Sequence, residues 1–540
     1  MTAAPSSSPA AARPSAFPAV GHAPAKKPRD MRLDFFRGLA MFIILLAHTP
    51  LDPWTLWIPA RFGFSDATEI FVFCSGMASS LAFGAAYRDH GWPMGTARIG
   101  FRIWQVYWAH VGLLLVVALL LWTIDANGWG EAGMRYIARV PIVPLFEDTG
   151  PALAGLFTLT WVPNYFDILP MYLVILALVP AVMAAHRAGG TPAAVALVAG
   201  LWLATQFGLT NLPSRPWAPE IPWFFNPFGW ALVFFSGFFL GMSWIPVPPR
   251  SRLLTWLALG VVLLSVPFAW FRIHDGLWLP QGWWLHDWIW AAREATEPLW
   301  RKTEMGLFRW LHFISLAYLA WMAVGPRGHR LVEPLRLPGR PGGRWIALAA
   351  VVLVATFPWA WAADIQALAP GLDAWLMELL GPRAEAALGT DLFIPGERLG
   401  MTSFAAFLAL IVLGWAALGR RGRAFVATTG WERFVPVVRK VGTQSLAVFL
   451  VSMVLAQAIG AALDVTGRDG WTVGVANACG FGVLILTAYV AGFFKSQPWR
   501  RPAPARTGAS PAERGVSAAS SERGAAASPN ERGAAATPAE

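Results

Sequence analysis

Arg37 and His48 stand eleven residues apart in RLDFFRGLAMFIILLAHTP (residues 32–50), a run otherwise apolar enough to enter a membrane. A charged side chain at the centre of a bilayer costs about 2.5–3.5 kcal/mol on insertion scales, so each such group is a functional hypothesis by default. At about 1.5 Å rise per residue the two lie ~16 Å apart along one helix and bracket the inner half of a bilayer or more. A guanidinium there can hold a charged donor on the inner side while an imidazole handles protons deeper in. The plainer reading is a snorkelling arginine and a packed histidine.

Further polar groups recur at spacings that suit chemistry. In FGFSDATEIFVFCSGMASS (62–80), Asp66 and Glu69 are three apart on one helical face. Either carboxylate beside His48 would fix the imidazole tautomer and stabilise the imidazolium formed when it takes a proton. The alternative is a pair of helix-N-terminal carboxylates favoured by the macrodipole, with Ser65 as cap. In ARIGFRIWQVYWAH (97–110), Arg98 and Arg102 share a face and, with Arg37, would make a cationic mouth at the inner surface. Forked guanidinium donors bind phosphate bidentately, and an acyl-coenzyme A carries such phosphates; the alternative is ordinary positive-inside charge.

LTWVPNYFDILPMY (159–172) bunches Asn164, Tyr165, Asp167 and Tyr172 around Pro163 and Pro170. Prolines that interrupt a spanning helix free backbone groups, which is tolerated where a cavity is lined. Asp167 is therefore a candidate substrate contact, against the alternative of an interfacial turn. In FRWLHFIS (308–315), Arg309 and His312 lie one turn apart, placed to bind a carboxylate or pair with Asp167, or else to serve as a snorkelling arginine and a core histidine. Gly442 in KVGTQSLAVFLVS is positioned to kink or pack a helix. Phosphate-loop, CxxC, HExxH and GxSxG patterns are absent, and Cys74 and Cys479 give neither a disulfide framework nor metal-ligand spacing. No metal and no permanently bound cofactor is expected.

The elements that must position these groups follow from hydropathy. The 540 residues are 56% hydrophobic and only 14% charged, which predicts an all-α, polytopic membrane-helix bundle. Apolar runs fall near 35–51, 64–87, 100–124, 167–185, 192–210, 229–245, 253–271, 305–325, 345–363, 399–418, 441–463 and 472–494. They predict twelve segments, or ten if 192–210 and 345–363 do not span. With the N-terminus inside, the inner loops carry 17 Lys/Arg against three acids (Asp89, Glu333, Glu432), and the outer loops 11 against 19. That bias predicts both termini in the cytoplasm. It accounts for much of the +11 formal charge without nucleic acid, whereas membrane lipid is an obligatory partner. Residues 1–28 and 500–540 are low-complexity and expected to be disordered tails around a membrane domain, 29–499; no cleavable signal peptide is expected. The tryptophans of 278–290 form either an interfacial belt or a platform for stacking sugar rings.

RDMRLDFFRGLAMFIILLAHTP, FGFSDATEIFVFCSG, PNYFDILPMYLVIL, FNPFGWALVFFSG and FRWLHFISLAYL resemble, in order, the OpgC-type proteins, which succinylate osmoregulated periplasmic glucans. The resemblance spans about 29–499. That family is related to the acyltransferase type 3 superfamily, whose hallmark of Arg, ten residues and His falls on Arg37 and His48. Its third-segment arginines fall on Arg98 and Arg102, its serine-glycine on Ser75 and Gly76, and a late small-polar motif on Gly442 and Ser445. The usual Trp-Gln of the FNP segment is Trp230-Ala231 here, which leaves any contact from that glutamine unmade.

The resemblance implies a multi-pass bacterial inner-membrane O-acyltransferase with succinyl-coenzyme A as co-substrate. Arg37, Arg98, Arg102 and Ser75 would bind the donor. His48, oriented by Asp66 or Glu69, would act as general base. Asn164, Tyr165, Asp167, Tyr172, Arg309 and His312 would serve a periplasmic glucan acceptor. Direct transfer and an acyl-histidine relay, another envelope polysaccharide or lipid-linked sugar as acceptor, and a secondary transporter remain alternatives at this stage.

Overall fold

The structure is a computed structural model that describes residues 30–276, 279, 281–360, 401–468 and 470–500. The tails expected at 1–28 and 500–540, Arg500 apart, lie outside the described residues. The described chain is helical, with no β-strand among the described residues and a single isolated bridge between Pro213 and Pro222.

Among the described residues twelve longer helices carry the architecture: α1 (Met31–His48), α2 (Ala67–Asn127), α3 (Ile168–Gln206), α4 (Pro227–Met242), α5 (Arg252–Ala269), α6 (Trp284–Ala295), α7 (Leu307–Val324), α8 (Gly343–Ala360), α9 (Met401–Ala417), α10 (Trp431–Thr443), α11 (Ser445–Thr466) and α12 (Gly470–Ser496). Their starts follow local chemistry. Asp30 caps α1 by accepting from the Arg32 amide. Asn226 caps α4 by accepting from the amides of Phe228 and Gly229, with Pro227 at the first helical position.

Two pairs of the expected segments each share one long helical element. The runs 64–87 and 100–124 both fall in α2, which breaks at Gly91 (φ 75°) beside Pro93. The runs 167–185 and 192–210 both fall in α3, which breaks at Gly189 and Gly190. In each case non-helical backbone at the glycines separates the two apolar runs. By length and composition, six of the described helices can cross a membrane, or seven if the pair 405–417 and 419–443, bent by 101°, is one span. Helix α1 contains Arg32, Asp34 and Arg37 within its 18 residues, and α4 has only 16.

The described residues up to Ala491 form one compact unit. In it α1 packs on α2, α10 and α11, while α4 packs on α2 and α3. Glycines make these approaches possible. A Cβ on Gly442 would stand 1.8 Å from the Asp34 carbonyl oxygen, and one on Gly38 would stand 2.0 Å from that of Val438. Gly76 and Gly237 meet the backbones of Phe234 and Phe73 in the same way, locking α2 to α4. The core around these seams is aromatic, with Phe166, Trp230, Phe234, Phe235 and Phe238 fully buried. The second unit begins at Gly492; its described residues bring Phe493, Phe494 and Trp499 into one ring cluster.

Candidate active site

His48 is the last residue of α1, and its Nδ1 lies 2.8 Å from the Ile44 carbonyl oxygen. A carbonyl only accepts, so Nδ1 carries the proton and Nε2 keeps its lone pair. The ring lines a cleft of about 730 Å³, partly open to solvent, whose polar wall also includes Asp66, Thr68, Asn164, Tyr165, Asp167 and Lys302. Ile43, Ile44, Phe224, Phe225 and Phe449 supply its apolar wall.

The expected carboxylate partner of His48 is engaged elsewhere. Asp66 caps α2, accepting from the Thr68 amide at 2.6 Å, and Glu69 reaches back to the Asp66 amide at 2.8 Å. This is a reciprocal capping box, so the helix-terminal reading of the pair holds. Beyond it, Asp66 pairs with Lys302 (2.6 Å) and Arg309 (3.4 Å), and fully buried Glu69 pairs with Arg309. Asp66 stands just ahead of α2. Burial there favours the protonated acid, but Lys302 and Arg309 outweigh it and hold the carboxyl well below the usual range. Asp66 thus lines the cleft as an ion-paired carboxylate, and the tautomer of His48 is set by its own helix.

Arg309 and His312 do not line the cleft. Arg309 spans both α2 carboxylates, and His312 Nδ1 accepts from the Ser65 amide (3.3 Å) and hydroxyl (2.8 Å). Ser65 thus serves His312 and not the helix cap expected of it. A side chain at Gly63 would collide with the His312 ring. These two residues of α7 fasten the start of α2, a positioning role that the acceptor-binding expectation did not contain.

The PNYFDILP stretch is a turn ahead of α3, with Pro170 in the first turn of that helix, and it lines the cleft. Tyr165 adopts φ 90°, a conformation that strains a non-glycine residue by ~1–3 kcal/mol. Its hydroxyl donates to the Met453 carbonyl at 2.6 Å, its amide donates to Asn164 Oδ1 at 2.9 Å, and its ring meets that of His48 edge-on at 5.3 Å. Asp167, 2% exposed, contributes a carboxylate whose Oδ2 has no hydrogen-bond partner. Burial pushes this group, just ahead of α3, up to about 7. Tyr172 is one turn deeper, packed on Phe234, and is absent from the cleft lining.

The donor-side expectation is only loosely assembled. Arg37 is 6% exposed and donates to the Cys74 carbonyl at 2.5 Å, so it joins α1 to α2 inside the bundle instead of opening a surface mouth. Ser75, the next residue of α2, is also buried. Arg98 is exposed beyond the Gly91 break, and Arg102 bonds the nearby Gln105 (3.2 Å). Among the described residues no cluster of three or more His, Cys, Asp and Glu is placed to hold a metal.

Lys302 is the residue that sequence reasoning passed over, as one cation in an outer loop. Its segment is threaded through the bundle by backbone carbonyls. Lys302 O accepts from the Trp230 indole (2.9 Å), Thr303 O from the Asn226 amide (3.0 Å), Glu304 O from Gln206 (2.8 Å) and Met305 O from the Trp202 indole (2.8 Å). The only sequence signal was the density of indoles and amides able to receive such a strap.

The family model described as OpgC protein matches residues 29–342 and 335–496 of the chain. The chain belongs to the OpgC family. No curated protein and no solved structure matches it. Membership of the OpgC family supports an acyltransferase activity, and every cleft residue named above lies within the matched range of this OpgC chain.

Proposed function

We propose that this OpgC-family protein transfers the acyl group of an acyl-coenzyme A, succinyl in the first instance, to a hydroxyl of a periplasmic glucan. The observation that carries the reading is His48. Its Nδ1 proton is committed to the Ile44 carbonyl, which leaves a basic Nε2 in a cleft that also holds a strained Tyr165 and a buried, unpaired Asp167 oxygen.

The reaction follows from those groups. Nε2 takes the proton of an acceptor hydroxyl as its oxygen attacks the thioester carbonyl carbon. The tetrahedral adduct collapses, the carbon–sulfur bond breaks, and the leaving thiolate takes the proton back from the imidazolium. The products are an ester and free coenzyme A, with no net proton released. Asn164 and Asp167 hold neighbouring sugar hydroxyls, and Tyr165 sets one wall of the imidazole. On the donor side, Arg98 and Arg102 contact phosphate from the inner surface, while Arg37 ties α1 to α2 beside Ser75. The two broken helices each contribute two passes, giving twelve in all with both termini cytoplasmic in the inner membrane.

The test is the periplasmic glucan of a deletion strain complemented with wild type or His48→Ala, analysed by mass spectrometry. Succinyl glucan should vanish in the deletion and return with wild type but not with His48→Ala. Unchanged glucan in the deletion would remove this acceptor and move the search to other envelope sugars. Wild-type transfer by His48→Ala would remove the base.

A further inference from the structure

Acyl transfer places a negative charge on the former carbonyl oxygen, and the base does nothing to neutralise it. Stabilisation of that charge is often the largest single contribution to such reactions. It requires a donor or cation fixed in place before the reaction and shielded from water. On the cleft wall, among the described residues, Lys302 is the one lysine or arginine.

Its surroundings meet the requirement of fixity. The ammonium lies 2.6 Å from Asp66 Oδ2 and within 5.9 and 5.4 Å of the ring centres of Phe224 and Phe225, an aromatic flank that favours a cation. Asp66 is itself immobilised by its capping box and by Arg309. The backbone on either side of Lys302 is anchored by the four carbonyl contacts of the 302–305 strap. Gly229 admits the strap, since a Cβ there would stand 2.4 Å from the Glu304 carbonyl oxygen. A lysine held only for stability would not need to face the cavity that His48 and Asp167 line.

We propose that Lys302 is a catalytic residue, its ammonium pairing with the oxyanion of the tetrahedral adduct. As the acceptor oxygen bonds to the thioester carbon, the carbonyl π pair moves onto oxygen beside Lys302 Nζ. When the carbon–sulfur bond breaks, that pair re-forms the carbonyl and the thiolate departs with its proton from His48. Lys302 neither gives nor takes a proton in these steps, and its ion pair with Asp66 holds it in place. The role rests on the acyl-transfer reading.

The experiment uses the full chain in lipid nanodiscs with succinyl-coenzyme A and a glucan oligosaccharide. It compares wild type, Lys302→Met and Lys302→Arg, and measures binding of a non-reactive thioether analogue of the donor. Loss of one oxyanion donor lowers kcat by about 10²–10³-fold. Lys302→Met should show a fall of that order with both KM values little changed and analogue binding intact, because the ground state carries no oxyanion. Lys302→Arg should regain part of the loss. A wild-type kcat in Lys302→Met, equal inactivity of the two variants, or lost analogue binding would overturn the catalytic role while leaving acyl transfer standing. A wild-type protein that transfers no acyl group would instead overturn the acyl-transfer reading and Lys302's role with it.

Discussion

At the scale of single residues, the cleft divides its labour between polar groups that already have partners and one that does not. His48 Nδ1 and Asp66 are committed, one to a carbonyl and one to a lysine. Asp167 is not, and its carboxyl is pushed up to about 7 by burial. The consequence for stability has a definite sign. Folded Asp167 holds its proton to a higher pH than the unfolded chain does, so its ionisation costs stability as pH rises from about 4 to about 7. Asp167→Asn removes that cost and should raise the melting temperature of the detergent-solubilised protein at pH 8 more than at pH 5. An equal shift at both values would mean that Asp167 titrates normally. In transfer assays the same variant should also weaken acceptor binding, read as a higher KM for the oligosaccharide.

At the scale of elements, α1 carries the base and must be held against three partners. The tightest contact is the Gly38–Gly442 seam with α10, where backbone meets backbone. Gly442→Val would have to push the Asp34 carbonyl aside. Overpacking of a close contact costs about 1–3 kcal/mol, so the variant should melt lower and lose activity together, by thermal melt and transfer assay. Retained stability would show that α10 slides freely along α1. Helix α7 does comparable work from the other side of the cleft: Arg309 and His312 fix Ser65, Asp66 and Glu69, and so fix the first turn of α2.

At the scale of the whole molecule, the breaks at Gly91 and Gly189–Gly190 decide how the chain is laid across a bilayer. A continuous 61-residue helix would be about 90 Å long at 1.5 Å per residue, about three times the hydrocarbon thickness of ~30 Å. Two passes joined at the break, as proposed above, would resolve that mismatch and keep the charge bias of the loops intact. Single-cysteine variants at Arg215 and Arg340, in a background lacking Cys74 and Cys479, test the arrangement with a membrane-impermeant maleimide on intact spheroplasts. Position 215 should label and position 340 should label only after lysis. The reverse pattern would invert the topology.

Much of this was legible in the sequence alone, because hydropathy, loop charge and capping are local. The helical class, the bunching of Asn164, Tyr165 and Asp167 around Pro163, and the family all follow from short stretches of chain, whereas the meeting of that turn with His48 is a long-range contact. The partnerships across the cleft do not. Asp66 and Lys302 are 236 positions apart in sequence and Glu69 and Arg309 are 240 apart. Nothing in either stretch specifies which carboxylate meets which cation. That depends on the rotation and height of α2 against α7, which the glycine seams and aromatic core determine once every helix is packed. The same long-range packing turned Arg37 inward, gave the α2 carboxylates to Lys302 and Arg309 instead of His48, and drew an apparent loop lysine into the cleft.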